Sequence, residues 1–222
     1  MRLVVRTFSE LCLTAGTLIV LFVVYVLYWT GVQAQSASAG QIDTLQREWT
    51  SVPVRTAEPA PRAVPYARGK GIAVMYVPRL GKDWKWPVLQ GTEAATLKKG
   101  LGHYANSGRL GGTGNFAVAG HRRTYGDPFK DFPRLREGDA IVLTDGTTWF
   151  TYRVDRAPYR TVPTDIGVID PVPVKSGLDG PGRYLTLTTC DPEWGSSHRL
   201  VVWAHLDATR PVADGRPQAL DS

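Results

Sequence analysis

A stretch of nineteen residues without a charge, Leu11–Trp29, constrains this chain more than any other feature. At 1.5 Å of rise per residue, a helix of this length spans roughly the 30 Å hydrocarbon core of a bilayer. Aromatic rings suited to the membrane interface gather at its far end, at Tyr25, Tyr28 and Trp29. The segment therefore predicts one N-terminal transmembrane helix over residues 11–30.

The charges before this segment predict its orientation. Arg2 and Arg6 precede it, with Glu10 as the only acid. Because basic residues tend to stay on the cytoplasmic side, we expect residues 1–10 in the cytoplasm and the rest of the chain outside the cell. A cleaved signal peptide is the alternative, since residues 37–39 read Ala-Ser-Ala, although signal-peptide apolar regions usually run only about 7–15 residues.

Composition divides the remainder of the chain. Residues 31–68 are rich in Ala, Ser, Gln, Pro and Arg, which predicts an extracellular linker, flexible at first and then stiffened by proline. A short helical turn is expected over residues 41–50. Residues 69–210 are expected to form one folded domain, and residues 211–222 a C-terminal tail. Without the membrane segment and linker, roughly 155 residues are left, enough for one domain with its own core.

The domain reads as six or more short strands separated by turn signals. Asp145-Gly146 lies between two of these runs and is a strong hairpin signal. A short helix is expected over Thr92–Lys99, and residues 162–174, with three prolines, read as a long shaped loop. This pattern predicts a mainly all-β fold, a closed or nearly closed barrel with brief helices.

Cysteine content and charge exclude several classes of protein. Only Cys190 lies outside the apolar segment that holds Cys12, so neither a disulfide scaffold nor a multi-cysteine zinc site is expected. The glycine-rich run at residues 111–114 feeds a strand, which argues against nucleotide binding. We therefore expect no metal and no cofactor. The net charge of +6 has no basic tract interleaved with aromatics, so nucleic acid is not expected as a partner.

Three side chains are candidates for chemistry. Cys190 ends a strand-like alternation, where a thiol is accessible, although a lone cysteine is more often a small buried hydrophobe. Arg199 opens the next strand-like run nine residues later, and a nearby cation favours the nucleophilic thiolate. His121 ends another apolar strand after Gly120, so it is expected at the same rim. The guanidinium of Arg199 suits a developing oxyanion.

The other histidines have weaker patterns. We expect His205 to be a satisfied structural residue, because it alternates within an apolar strand. His198, in a polar loop, is expected to be solvated, and His103 is intermediate between the two.

Ala119-Gly120-His121-Arg122, Thr186-Leu187-Thr188-Thr189-Cys190 and Arg199 together resemble the sortases, over about residues 70–208. The segments Gly102-His103-Tyr104, Asn115 to Arg122 and Thr164 to Pro171 are most similar to the class E housekeeping enzymes of actinobacteria. The resemblance implies a sortase-like closed eight-stranded β-barrel. It also implies a membrane-anchored cysteine transpeptidase that cleaves a C-terminal sorting signal, similar to LAXTG, between Thr and Gly. The protein would then be joined to an amine of cell-wall peptide or lipid II.

The resemblance assigns roles to individual residues. Cys190 attacks the threonine carbonyl and forms a thioacyl enzyme, His121 protonates the leaving amine and then deprotonates the acceptor, and Arg199 stabilises the oxyanion. Residues expected to contact the signal are Thr188, Thr189, Ala119 and Tyr104. The 162–174 loop is expected to wall the groove opposite the thiol. The resting protonation state of the thiol and imidazole is left open.

Other functions stay open at this point. An L,D-transpeptidase would have its arginine close behind an S-x-G-C-type motif, which this sequence does not match. A membrane-tethered barrel that binds wall or peptide without chemistry would not need all three groups at one rim. A pilin-polymerising sortase is a further alternative.

Overall fold

The computed structural model describes residues 2–51 and 65–221. The first element is a single helix, α1 (Arg2–Ser51), of 50 residues. It contains the candidate membrane span and continues well beyond it. Residues 31–51 are thus helical and not the flexible coil expected there, and the short helical turn expected over residues 41–50 lies within α1. The rest of that linker, residues 52–64, lies outside the described residues.

The second half of α1 is helical because it has a surface to pack against. Ala34, Ser38, Ile42 and Leu45 recur at helical spacing and are all buried. Ile42 and Leu45 pack with Val74 of the first strand. Proline first occurs at residue 53, so no residue of this segment interrupts the helical hydrogen bonds.

Nine strands and several short helical segments follow α1. The strands are β1 (Gly71–Tyr76), β2 (Lys85–Gln90), β3 (Leu101–His103), β4 (Gly114–Ala119), β5 (Ala140–Thr144), β6 (Thr148–Val154), β7 (Tyr159–Thr161), β8 (Arg183–Asp191) and β9 (His198–Pro211). Helix α2 (Ala94–Leu97) joins β2 to β3. The 3-10 turns are Pro78–Leu80, Phe132–Arg134, Ile166–Ile169, Val212–Asp214 and Gln218–Leu220.

Eight strands close into a ring in the order β6-β5-β1-β2-β3-β4-β8-β9, because β9 pairs back onto β6. The short β7 pairs with residues 199–201 of β9, and the same three residues also pair with β8. This confirms the predicted eight-stranded barrel with short helices. The expected hairpin is formed by β5 and β6, and the expected helix is shorter than predicted, at four residues.

The barrel interior is filled by aliphatic and aromatic side chains. Along β8, Leu185 and Leu187 belong to this core, because alternate residues of a strand face the same side of the sheet. Thr186 and Thr188 therefore face outward. Outside the barrel, the 3-10 turn at Ile166–Ile169 packs on β9 in a second cluster. The tail also packs on the barrel, through residues 212, 219 and 220.

The strand register decides which ends meet. β4 and β8 are parallel and level, from Gly114 opposite Arg183 to Ala119 opposite Thr188. Parallel strands in register end at the same edge of a sheet. Residues that follow β4 and β8 therefore emerge together at one edge of the barrel.

Gly120, at this edge, is a position where the core leaves no room. A Cβ added there would lie 2.6 Å from the Phe129 ring and 2.7 Å from Leu101. We expect Gly120→Ala to lower the free energy of unfolding by about 1–3 kcal/mol through overpacking. Urea unfolding followed by tryptophan fluorescence measures this. Gly112→Ala, where the nearest atom would be 3.4 Å away, is the matched control, and equal stability of the two variants would contradict the account.

Candidate active site

The ends of β4 and β8 carry His121 and Cys190 at the same level. Gly120 N donates a hydrogen bond to Thr188 O at 3.1 Å. The hydroxyl of Thr189 donates to Gly120 O at 2.8 Å. Each of the two functional residues lies two positions beyond the last register pair, Ala119 and Thr188. The parallel pairing thus brings the imidazole and the thiol to one edge, as the sequence predicts.

Arg199 lies directly opposite Cys190 in the antiparallel β8–β9 pair. Side chains of opposed residues stand on the same face of a sheet, with Cβ atoms about 4.5–5.5 Å apart. One terminal nitrogen of Arg199, Nη1, donates to Ser196 O at 3.0 Å and to His198 O at 2.9 Å. These bonds anchor the guanidinium to the loop between β8 and β9, on the sheet face that Arg199 shares with Cys190, and leave its other donors available.

Cys190 is a free, half-buried thiol. Half-burial suits a nucleophile, because the sulfur is held by the strand and still reached from outside. The prediction that this cysteine is accessible, and not a buried hydrophobe, agrees with its position.

His121 has an unusual environment for an imidazole. Burial lowers its pKa below the ordinary 6.5; the carboxylate of Asp127 acts against this, and the ammonium of Lys98 adds to it. The ring lies 5.2 Å from that of Tyr125, centroid to centroid. Its Nε2 atom is buried and has no hydrogen-bond partner among the described residues. A buried, unpaired ring nitrogen is ready to exchange a proton with a group brought beside it.

Two separate cavities are lined by residues of this edge. The first, which we call the thiol cavity, measures about 310 Å³ and has Cys190 and His121 in its wall. The loop between β8 and β9 closes its far side with Glu193, Trp194, Gly195 and Ser196. Arg123 fixes the position of this loop. It forms an ion pair with Glu193, and its guanidinium carbon lies over the Trp194 ring, 4.7 Å from the ring centroid.

The second cavity, which we call the groove, measures about 90 Å³ and runs over the outer face of β8 and β9. Its floor is formed by Thr188, Arg199 and Val201. The predicted wall, the 162–174 loop, lies over it with Ile166 and Val168 among its lining residues. The groove is therefore mostly apolar with a guanidinium at one end.

The carboxylate of Asp165 fixes the groove wall. It accepts hydrogen bonds from Lys175 Nζ at 2.7 Å and from the Thr161 hydroxyl at 2.5 Å. These bonds lower the pKa of Asp165, chiefly through Lys175.

Only part of the predicted signal-binding set lies in the groove. Tyr104 and Thr188 line it, and their hydroxyls share a 3.0 Å hydrogen bond. Thr189 lies outside it, because strand alternation turns its side chain to the opposite face, where it is 3% exposed and bonded to Gly120. Ala119 is half-buried and lines neither cavity. Both residues take positioning roles, in the β4–β8 pairing.

Sequence reasoning missed a cluster of ion pairs behind the thiol. Arg122 Nη1 lies 2.5 Å from Asp191 Oδ1, and Arg160 Nε lies 2.6 Å from Asp191 Oδ2. Only 10% of the Arg122 side chain and 15% of the Asp191 side chain are exposed. Arg122 directly follows His121, and Asp191 directly follows Cys190. Their ion pair therefore links the ends of β4 and β8 next to the imidazole and the thiol. The sequence signal for this pair was an arginine directly after His121 and an aspartate directly after Cys190.

The other histidines differ in setting. His103 is buried, with Gln90 Oε1 2.7 Å from Nδ1 and Gly108 O 2.9 Å from Nε2, and burial lowers its pKa. His205 has a partner, Asp155 Oδ1 at 2.5 Å, as expected of a structural residue, but it lies at the surface. His198 contacts Arg160, with 2.9 Å between Nη2 and Nδ1.

A thiol, an imidazole and a guanidinium at one edge of a closed β-barrel are the groups that cysteine acyl-transfer chemistry uses. The family model for the sortase domain matches residues 75–207. The chain therefore belongs to the sortase family.

Individual relatives place it within class E. It is 37% identical over 224 residues to sortase SrtE1 of Streptomyces coelicolor, covering 98% of this chain and 61% of that protein. Sortase SrtE2 of the same organism is 32% identical over 219 residues, covering 96% and 85% of the two chains. The chain thus spans about three fifths of the length of SrtE1.

Solved structures agree. The structure of sortase E from Streptomyces avermitilis is 70% identical, with a TM-score of 0.67 over 70% of this chain and 99% of that one. The crystal structure of sortase E1 from Streptomyces coelicolor with a tripeptide in the active site is 38% identical, with a TM-score of 0.65 over 69% and 99%.

The Asp191 ion pairs make stability depend on pH. The hydrogen bond from Arg160, and then that from Arg122, lower the pKa of Asp191 below 3.8. A lowered carboxyl pKa stabilises the fold above the unfolded pKa, and this is lost as pH falls through the folded pKa. We expect Asp191→Asn to cost about 1–3 kcal/mol at neutral pH and progressively less in acid.

Urea unfolding between neutral pH and pH 3 measures this difference. Asp207→Asn is the control, because its pair with Arg153 is exposed and should contribute less than about 1 kcal/mol. A loss for Asp191→Asn that stays constant down to the lowest pH would contradict the account.

Proposed function

We propose that this chain is a membrane-anchored class E sortase. It cleaves an LAXTG-like C-terminal sorting signal between Thr and Gly and joins the new carboxyl end to a cell-wall amine. The observation that carries the proposal is the register. Cys190 lies opposite Arg199, and His121 reaches the same edge through β4.

The first half-reaction breaks the peptide bond. The Cys190 thiolate attacks the threonine carbonyl carbon, and the carbonyl electrons move to its oxygen. The guanidinium of Arg199 stabilises this oxyanion with its free donors. As the C–N bond breaks, protonated His121 gives its proton to the leaving glycine nitrogen, and a thioester on Cys190 is left.

The second half-reaction reverses the proton's path. An acceptor amine enters, and neutral His121 takes its proton as the nitrogen attacks the thioester carbonyl. The C–S bond then breaks, a new amide forms, and Cys190 leaves as thiolate beside a protonated imidazole. The pair is thereby returned to its starting charge state.

The two cavities suit the two reactants. The groove runs from Arg199 over Thr188 to the apolar wall at Ile166 and Val168, which fits the apolar residues ahead of the cleaved bond. That a relative's active site holds a tripeptide supports a peptide in this position. The thiol cavity, on the His121 side, is open to the acceptor amine.

Membrane anchoring rests on α1. Its large apolar side chains described between Val4 and Trp29 are exposed, as lipid contact requires. Arg2 and Arg6 precede the span, which favours a cytoplasmic N-terminus and an extracellular barrel. The reactants would then be secreted proteins that carry the signal, and wall peptide or lipid II.

The chemistry predicts a graded series of variants. Cys190→Ala should abolish turnover of a fluorogenic LAXTG peptide with an amine acceptor. Arg199→Lys should lose at least about 10²-fold in kcat, because an ammonium does not reproduce the forked donor geometry. Cys12→Ser, in the membrane span, is the control and should leave turnover unchanged. Equal turnover by Cys190→Ala would refute the proposed nucleophile. No turnover by the wild-type chain would favour a non-catalytic binding barrel.

The environment of His121 predicts a displaced pH profile. If the active form pairs a Cys190 thiolate with a protonated His121, the acidic limb of the pH profile of kcat/KM reports the titration of the imidazole. Because burial lowers the pKa of His121, this limb should lie below pH 6.5. Lys98→Gln should move the limb up, and Asp127→Asn should move it down, since these two charges act in opposite directions. Shifts of the same sign in both variants would contradict the assignment.

A further inference from the structure

We propose that α1 holds the barrel with its catalytic edge against the membrane, so that the rim around residues 124–127 lies on anionic lipid headgroups. This orientation rests on the membrane anchoring proposed above. It adds a surface, the catalytic rim, and a partner for it, the outer face of the bilayer.

The first observation is that α1 has two halves with different surroundings. Its apolar half, up to Trp29, is exposed all around. From Ala34 to Leu45, one face is buried against the barrel. Since α1 is a single helix through both halves, the membrane span and the barrel are joined by a rigid element.

The second observation is which end of the barrel meets which end of this docked segment. A Cβ added to Gly126 would lie 3.6 Å from the Cβ of Ala34, the first buried residue of the face. At the other end, Trp49 covers Gly146 in the β5–β6 turn. Trp49 lies fifteen positions after Ala34, which corresponds to about 22 Å along the helix axis.

Gly126 belongs to the catalytic edge. It lies in the loop that follows β4, and Tyr125 of the same loop contacts the ring of His121. Ala34 lies five residues beyond Trp29, the last aromatic residue of the span, which corresponds to about 7.5 Å of helix. The loop at residues 124–127 is therefore at the height of the headgroups, and the β5–β6 turn points away from the bilayer.

The third observation is the charge of this rim. The Lys98 ammonium lies 5.3 Å from the centroid of the Tyr125 ring. Lys99 directly follows Lys98 in the sequence, Lys130 lies three residues after the 124–127 loop, and both are exposed. The acid of the loop, Asp127, is paired with Arg123. Trp194, 68% exposed beside Arg123, is a side chain suited to the interface. Anionic headgroups attract such basic groups.

This orientation places the thiol where membrane-bound reactants arrive. A sorting signal still tethered to the bilayer, or an acceptor amine carried on a lipid, would meet Cys190 without leaving the surface. α1 sets the height of the edge, and the basic rim contacts the headgroups.

The test measures the height of two positions above the bilayer. The full chain, with Cys12→Ser and Cys190→Ala, is placed in nanodiscs of phosphatidylcholine and phosphatidylglycerol with a headgroup spin label. A fluorophore is attached through Lys130→Cys on the rim or through Thr147→Cys in the distal turn. We expect a large loss of fluorescence at position 130 and little at 147. Equal loss at both, or a larger loss at 147, would overturn the orientation.

A helix variant separates rigid docking from chance proximity. Leu45→Asp removes the packing of α1 on the barrel, so the difference between the two labels should disappear. Thr44→Asp, exposed on the same turn, is the matched control and should keep the difference. A difference that survives Leu45→Asp would contradict the role of α1.

Failure of this inference is distinguishable from failure of the proposed function. Turnover of a soluble LAXTG peptide is measured on the same chain with Cys190 intact, in detergent, where orientation has no effect. Normal turnover with equal quenching overturns the orientation alone. Absent turnover with the expected quenching overturns the transpeptidase reaction and leaves the orientation standing. Normal turnover by Leu45→Asp also shows that its barrel is folded.

Discussion

The hydrogen-bonded register of three neighbouring strands is the constraint on which the site depends. β4 and β8 run parallel and level, which brings His121 to Cys190, and β8 and β9 pair so that Arg199 stands opposite the thiol. A slip of one residue in either pairing would turn a functional side chain to the other face of the sheet. The closed barrel prevents such a slip, because each strand is held on both sides.

Electrostatics at the site reinforce this geometry. Asp191 binds Arg122 and Arg160 immediately behind the thiol, so the residues beside Cys190 and His121 are held by charged hydrogen bonds. His121 itself lacks a partner at Nε2 among the described residues, and burial lowers the pKa of its imidazole. Arg122 Nε and Arg123 Nε beside it are also buried and unpaired within the described part of the chain, but only the imidazole nitrogen can exchange protons with reactants.

The sequence predicts the barrel and the three reactive side chains because each leaves a local signal. Strand alternation ends at Cys190, Gly120 precedes His121, and a polar loop precedes Arg199. Of the helical course of residues 31–51, the sequence predicts only a short turn over residues 41–50, since the rest depends on a barrel face that only the folded chain provides. The inward turn of Thr189 and the ion pairs of Asp191 depend likewise on register and on partners distant in sequence.

The central claim is that this register makes Cys190 an acyl carrier. Its most direct test is intact-protein mass spectrometry after the wild-type chain meets an LAXTG peptide without an acceptor amine. The account predicts an increase equal to the peptide's acyl part ending at threonine, located on Cys190 by fragmentation and released by an added amine. No covalent adduct, an adduct on another residue, or cleavage that proceeds without one would contradict it.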